Sequence, residues 1–387
     1  EDARRVASPV PPLGTRARDP TPPLNGVATF RRFSSPVATR TDDTTSDGCS
    51  DGVSTEATHP VRMPRVPRTL PLELRGDVAP VARFVELGLG AERARRADID
   101  RPFRGVVAEG FPLDGVVSRA VALSARRGMP DYGFSHVTGA AIRQLPLPLA
   151  VDHRLVHVTV RHPDRSPRLT GVSGHAYRLP PEAIARWPII LPSTAEQRFV
   201  PVLTEPWLFA TLATVLSLDD LIVVADALRT RAAEGSRSID ISEALAEGRR
   251  GSARAARAWA LSVTGARSRP ETLMRIALMR AGLPSPTVGY SVVEPGWRAT
   301  PDLAWPEYRV LVEYEGDHHR TDPRQFAHDL RRFERYHDSG WVAVRATRLD
   351  LFEELNEFTH RMEKRLRERG WRPNRHWQLR PLRPLHR

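Results

Sequence analysis

The run Tyr308-Arg309-Val310-Leu311-Val312-Glu313-Tyr314-Glu315-Gly316-Asp317-His318-His319 decides how the last third of the chain is read. Its side chains alternate with the two-residue period of a strand. Val310, Val312 and Tyr314 face one way, and Leu311, Glu313 and Glu315 the other. Just upstream, Thr300-Pro301-Asp302-Leu303-Ala304-Trp305 runs into a Pro306-Glu307 turn. The pattern predicts a hairpin that sets Asp302 near Glu313 and Glu315. Further upstream, residues 270–282 read as a helix with proline at its start and glycine at its end, and with Leu273, Ile276 and Ala277 on one face. A strand is predicted at 287–293, a helix at 325–338 ending at Gly340, a strand at 341–347 and one long closing helix at 351–369.

Carboxylates projecting from neighbouring strands are costly unless a cation neutralises them. An oxygen-rich cluster is the coordination Mg²⁺ prefers. His318 and His319, directly after the second strand, could handle a proton. Carboxylates, a divalent ion and a proton-transfer group together suit metal-assisted phosphodiester hydrolysis. The same spacing also fits acidic residues on the solvent face of a half-exposed hairpin, and both readings stay open at this level.

Composition narrows the classes. A chain of 387 residues suggests two or three domains. No apolar run approaches the roughly 20 residues of a membrane-spanning helix, and the N-terminus lacks a secretory pattern, so a cytoplasmic protein without a membrane partner is expected. Cys49 is the single cysteine, which excludes an intrachain disulfide, a cysteine-based zinc site and an iron–sulfur cluster. Lys364 is the only lysine, so no P-loop can form and Schiff-base chemistry would hang on one helical surface residue. The net charge of +12 makes nucleic acid the first partner to consider.

Four regions follow. Residues 1–62 are rich in Pro, Ser, Thr and Asp and are expected to be disordered. The first methionine is Met63, and the native start is expected there. Residues 63–112 read as a winged helix-turn-helix: a helix at 79–88, a second at 90–97 bearing Arg93, Arg95 and Arg96, and a strand at 103–108. A small helical hairpin with solvated arginines fits the same pattern. Residues 113–265 are mixed α/β. Ser135 is expected to cap a helix running to Arg143, and the strand at 155–161 places Val156, Val158 and Val160 on one face, with 174–179 as a pairing partner. Helices are expected at 207–215, 218–229 and 252–263, Ser217 capping the second. His153, His157 and His162 fall at spacings that scatter them over both strand faces. They are read as structural or surface residues, and no catalytic constellation is expected in this region. Residues 266–387 carry the chemistry described above.

The ordered motifs of that last region resemble the PD-(D/E)xK nuclease superfamily. More narrowly, Glu313 to His319, Asp329, Arg332 and the stretch Gly340 to Arg345 resemble a domain-of-unknown-function family related to the very-short-patch mismatch-repair (Vsr) endonucleases. The resemblance covers about residues 268–350. It implies a restriction-endonuclease-like αβββαβ domain in which Asp302 and Glu313 ligate Mg²⁺, with Glu271 a further acidic contributor. It matches His319 to the family histidine and makes Glu315 and His319 catalytic candidates, with Arg320 and Arg332 as contacts to the nucleic-acid backbone. Glu315 stands where the superfamily has lysine, which leaves open a domain that binds without cutting. The Vsr zinc site is not expected, since no cysteine lies in this region. Phe134 to Pro148 and Leu218 to Leu228 resemble actinobacterial proteins in which an AbiEi-type antitoxin or regulator-like half precedes the nuclease-like domain. Gln144 stands where that family usually has glycine. The resemblance implies DNA binding by the N-terminal part, and leaves a toxin or self-association partner unspecified. The expected fold class is α+β or α/β, with a winged-helix-like start, a mixed middle and the nuclease-like end.

Overall fold

A computed structural model describes residues 69–191, 195–246, 250–316, 323–383 and 385, with backbone alone for 323–328. The expectations for residues 1–62 and for the start at Met63 lie outside the described residues. The fold is mixed α+β, with four separate sheets among the described residues. No helix among the described residues is long and apolar enough to cross a membrane.

The first part comprises β1 (Asp77–Pro80), α1 (Val81–Glu86), α2 (Gly90–Arg93), β2 (Asp100–Phe103) and β3 (Val106–Glu109). The strands form an antiparallel sheet in the order β1-β3-β2. Both helices are shorter than the sequence predicts: α1 starts at Val81 because Pro80 ends a strand rather than opening a helix at Ala79, and α2 stops at Arg93. Arg95 and Arg96 lie past the end of α2 and are exposed.

The middle part runs α3 (Val116–Ser124), β4 (Tyr132–Phe134), α4 (His136–Ile142), β5 (Val156–Arg161), β6 (Val172–Tyr177), β7 (Ile184–Ile190), β8 (Gln197–Leu203), α5 (Glu205–Leu212), α6 (Leu218–Glu234), α7 (Ser242–Ala246) and α8 (Ser252–Leu261). The strands build one sheet in the order β6-β5-β4-β8-β7. Alternation in β5 places Val156, Val158 and Val160 in the core with Phe134, Val200 and Val202, as the period predicts. A second apolar cluster joins α4, α5, α6 and α8. β6 pairs with β5 in parallel, so His157 lies opposite Ser173 and Thr159 opposite His175.

Helix α4 ends in a Schellman motif. The Leu145 N–H donates to the Ala140 carbonyl and the Gln144 N–H to that of Ala141, with Gln144 at φ +52°. That left-handed position explains why glycine is favoured there, since an L side chain is strained in it. Gln144→Gly is therefore expected to stabilise the chain by about 0.5–1 kcal/mol. Matched thermal melts check this, and a loss of stability would mean that the exposed glutamine side chain contributes more than its backbone costs.

The last part contains α9 (Arg269–Ala281), β9 (Thr287–Val288), β10 (Val292–Glu294), β11 (Trp297–Ala299), β12 (Leu303–Trp305), β13 (Val310–Glu315), α10 (Pro323–Asp338), β14 (Val342–Thr347), α11 (Arg348–Phe352) and α12 (Leu355–Glu368). Its sheet has the order β14-β13-β12-β9, with β13 and β14 parallel. The strand predicted at 287–293 is broken at Gly289, whose φ is +69°, and its second half turns into the β10–β11 hairpin. The predicted closing helix is two helices, because Thr347 and Asp350 form a capping box that starts α11 before the chain restarts at Leu355. Val310 and Val312 pack against α9 and α12, while Leu311 packs with Tyr336 of α10 on the other face.

Middle and last parts interlock through α6 and α9. Asp226 of α6 accepts hydrogen bonds from Thr272 (2.8 Å), from Arg275 (3.0 Å) and from the Val263 N–H (2.7 Å). Arg269 pairs with Asp220 at 2.9 Å, and Arg280 with Asp219 at 2.7 Å. Ser217 caps α6 by accepting from the Asp220 N–H at 3.1 Å.

Candidate functional site

The carboxylates of the last sheet sit where β12 and β13 run side by side. Leu303 pairs with Val312, so the residue before β12 meets the residue after Val312. Asp302 Oδ2 accepts from the Tyr314 N–H at 2.7 Å. Glu313 is 5% exposed; its Oε1 accepts from the Tyr336 hydroxyl at 2.9 Å and its Oε2 lies 3.4 Å from the Arg332 guanidinium. Glu271, in the first turn of α9, is also buried and accepts from the Arg267 N–H at 2.8 Å.

The electrostatics tie the three together. Burial, then the negative charge of Glu271 and more weakly of Glu313, pushes Asp302 up to about 7. Burial also raises Glu313, against the pull of Arg332 and of the Tyr336 hydrogen bond. Burial raises Glu271 in the same way. Arg332 acts on Glu313 and Asp302 and Arg267 on Glu271, so two guanidiniums partly offset the buried Glu271 and Glu313 and the half-buried Asp302. Asp302 and Glu313, side by side, are the pair that could hold a divalent cation. Between about pH 4 and pH 7 the folded chain holds a proton on Asp302 that the unfolded chain has released. Stability should therefore fall as pH rises through that window and stay low above it. Asp302→Asn removes the charge and is expected to raise stability at pH 8 by about 2–4 kcal/mol, the gap closing only by about pH 4. Urea titrations at the two pH values check this; equal stabilities at pH 8 would mean that the carboxylate is solvated.

The remaining predicted residues are placed differently. Glu315 shares the strand face of Glu313, but its carboxylate pairs with Arg345 at 3.1 Å, and that guanidinium lies over the Phe333 ring. Arg332 lies against Glu313 and Asp329. Arg93 is 7% exposed and grips Asp98 with two hydrogen bonds of 2.9 and 2.7 Å, so its guanidinium is spent inside the fold rather than presented to a phosphate. His319 and Arg320 lie outside the described residues.

A second cluster was not foreseen. His136, His157 and His175 bring ligand atoms within 4.8 Å of one another. His157 comes from β5 and His175 from β6, while His136 opens α4 above them. His157 Nδ1 and His175 Nε2 are 3.1 Å apart, and the His136 ring stacks on that of His175 at 4.0 Å. Ser135 does not cap α4 with its side chain. Its hydroxyl accepts from Thr159 at 2.8 Å and meets His136 Nδ1 at 2.9 Å. Of the histidines singled out in the sequence, only His157 takes part. The other two members are 21 residues before and 18 residues after it, and only the β4–β5–β6 pairing unites them. A parallel neighbour carrying Ser173, His175 and Tyr177 at alternate positions was the available signal.

No family model matches the chain. Two uncharacterized proteins of Mycobacterium tuberculosis, Rv2248 of strain H37Rv and MT2308 of strain CDC 1551, are each 32% identical to it over 110 residues. The match takes in 27% of this chain and 40% of those proteins, so the chain spans less than half the length of the curated relatives it matches. The crystal structure of the RV2827C protein from Mycobacterium tuberculosis aligns with 56% of this chain and 84% of its own, at 19% identity and a TM-score of 0.34.

Proposed function

We propose that the protein binds DNA and that its last part is a metal-dependent, Vsr-like PD-(D/E)xK endonuclease domain. The observation that carries this reading is the meeting of the half-buried Asp302 with the buried Glu313 beside Arg332, with Glu271 adding negative charge. The order α9, β9, β12, β13, α10, β14, with the β10–β11 hairpin inserted after β9, supports the αβββαβ arrangement. The β1–β3 sheet with its two short helices supports a winged-helix-like start, and with it the AbiEi-like reading of the N-terminal half.

Asp302 and Glu313 would hold Mg²⁺, which when bound supplies charge neutralisation at a scissile phosphate. The chain's own residues prepare that place. The Tyr314 N–H fixes one oxygen of Asp302, Tyr336 fixes one of Glu313, and Arg332 stands ready to exchange Glu313 for a phosphate oxygen. A non-cutting, AbiEi-type transcriptional regulator is the second reading, and one observation favours it. At the position of the superfamily lysine stands the carboxylate of Glu315, and the guanidinium beside it, Arg345, is already engaged by that carboxylate rather than turned to a water. Incubating the full chain with supercoiled, mismatched and single-stranded DNA in Mg²⁺ or Mn²⁺ separates the two. Metal-dependent nicking supports the enzyme, and salt-sensitive binding without nicking supports the regulator.

A further inference from the structure

We infer that His136, His157 and His175 form a binding site for a zinc-class divalent transition metal, separate from the carboxylates of the last sheet. Imidazole nitrogens favour Zn²⁺, Ni²⁺ and Cu²⁺, whereas carboxylate oxygens favour Mg²⁺. The site is built from three different elements, which makes it a property of the fold rather than of a local histidine run. Two imidazole nitrogens on one tetrahedral zinc, with bonds of ~2.0–2.1 Å, lie about 3.3 Å apart. The 3.1 Å between His157 Nδ1 and His175 Nε2 is already close to that value. The two rings are nearly parallel, at 8°, so the ion would be met by rotation of the half-buried rings about their side-chain bonds.

The surroundings prepare the third ligand. The Ser135 hydroxyl, which accepts from Thr159, lies 2.9 Å from His136 Nδ1; in the tautomer in which Nδ1 donates to it, Nε2 carries the free lone pair for the metal. Hydrogen bonding of the distal nitrogen is the usual way a metal-binding histidine is oriented. His136 also sits at φ +48°, a left-handed conformation that a non-glycine residue adopts only when its surroundings enforce it. Ser173 Oγ, 3.3 Å from His175 Nε2, borders the remaining coordination position.

The test titrates the chelator-treated full chain with Zn²⁺ alone in a calorimeter, with and without excess Mg²⁺. One equivalent of zinc is expected to bind per chain, undisturbed by Mg²⁺. His157→Ala and His175→Ala should each weaken binding at least about tenfold, while His153→Ala and His162→Ala leave it unchanged. Co²⁺ loaded in place of zinc should give the visible absorption of a four-coordinate site, lost in His175→Ala. Because His136 is buried on a strained backbone, the test does not depend on replacing it, and circular dichroism verifies that the strand variants fold. Absence of zinc binding by the folded wild-type chain would overturn the assignment. So would binding that survives both strand substitutions, which would leave the imidazole stack a purely structural feature.

Discussion

Arg275→Met is expected to cost about 3–5 kcal/mol of stability, the range for removing one partner of a buried ion pair. The Arg275 side chain is 3% exposed and that of Asp226 1%. Without the guanidinium, Asp226 keeps the Thr272 and Val263 hydrogen bonds but loses its only ion-pair partner among the described residues. The Leu261 carbonyl, which accepts from Arg275 at 3.1 Å, loses that donor too. Adding Asp226→Leu should recover part of the loss, because a pair of apolar groups avoids the stranded charge. Urea denaturation of the wild type and of the single and double variants measures both effects. The pair bridges α6 and α9, so the single variant should also broaden the transition as the two parts lose their common clamp. A loss below about 1 kcal/mol would show that apolar packing between those helices, rather than the ion pair, joins them.

Asp302→Ala and Glu313→Ala are each expected to lower metal-dependent DNA cleavage by at least about a hundredfold, while leaving salt-dependent DNA binding nearly unchanged. The two effects separate because neither carboxylate favours an anionic backbone and neither substitution removes an arginine. Tyr336→Phe removes the hydrogen bond to Glu313 and should reduce cleavage by a smaller factor, on the order of tenfold. Supercoiled-plasmid nicking and filter binding across salt concentrations distinguish these outcomes. Cleavage that survives both alanine substitutions would place the chemistry elsewhere, and absence of cleavage in the wild type would favour the regulator.

The structure also shows why some residues could be read in advance. Ser217 capping α6, the alternation in β5 and β13 and the helix from Arg269 to Ala281 are short-range patterns, and each appears close to where the residues point. Helix boundaries failed where a second local signal competed, as at Pro80, Gly289 and the Thr347–Asp350 box. Arg93 and Glu315 carry partners that the sequence did not show, for a different reason. A charged side chain looks alike in sequence whether it meets solvent or a partner, and Asp98 and Arg345 supplied the partners.

What the amino-acid order determined unaided was periodicity and chemistry: strands that bury one face, caps that start helices, and acids that register pairing carries to one end of a hairpin. Those properties act over a few residues, so they survive without knowledge of the rest. What only the tertiary structure decided was company. The burial that raises Asp302, the Asp226–Arg275 clamp and the meeting of His136, His157 and His175 all arise from elements far apart along the chain. Long-range pairing chooses those neighbours, and no local pattern encodes which strand or helix will arrive.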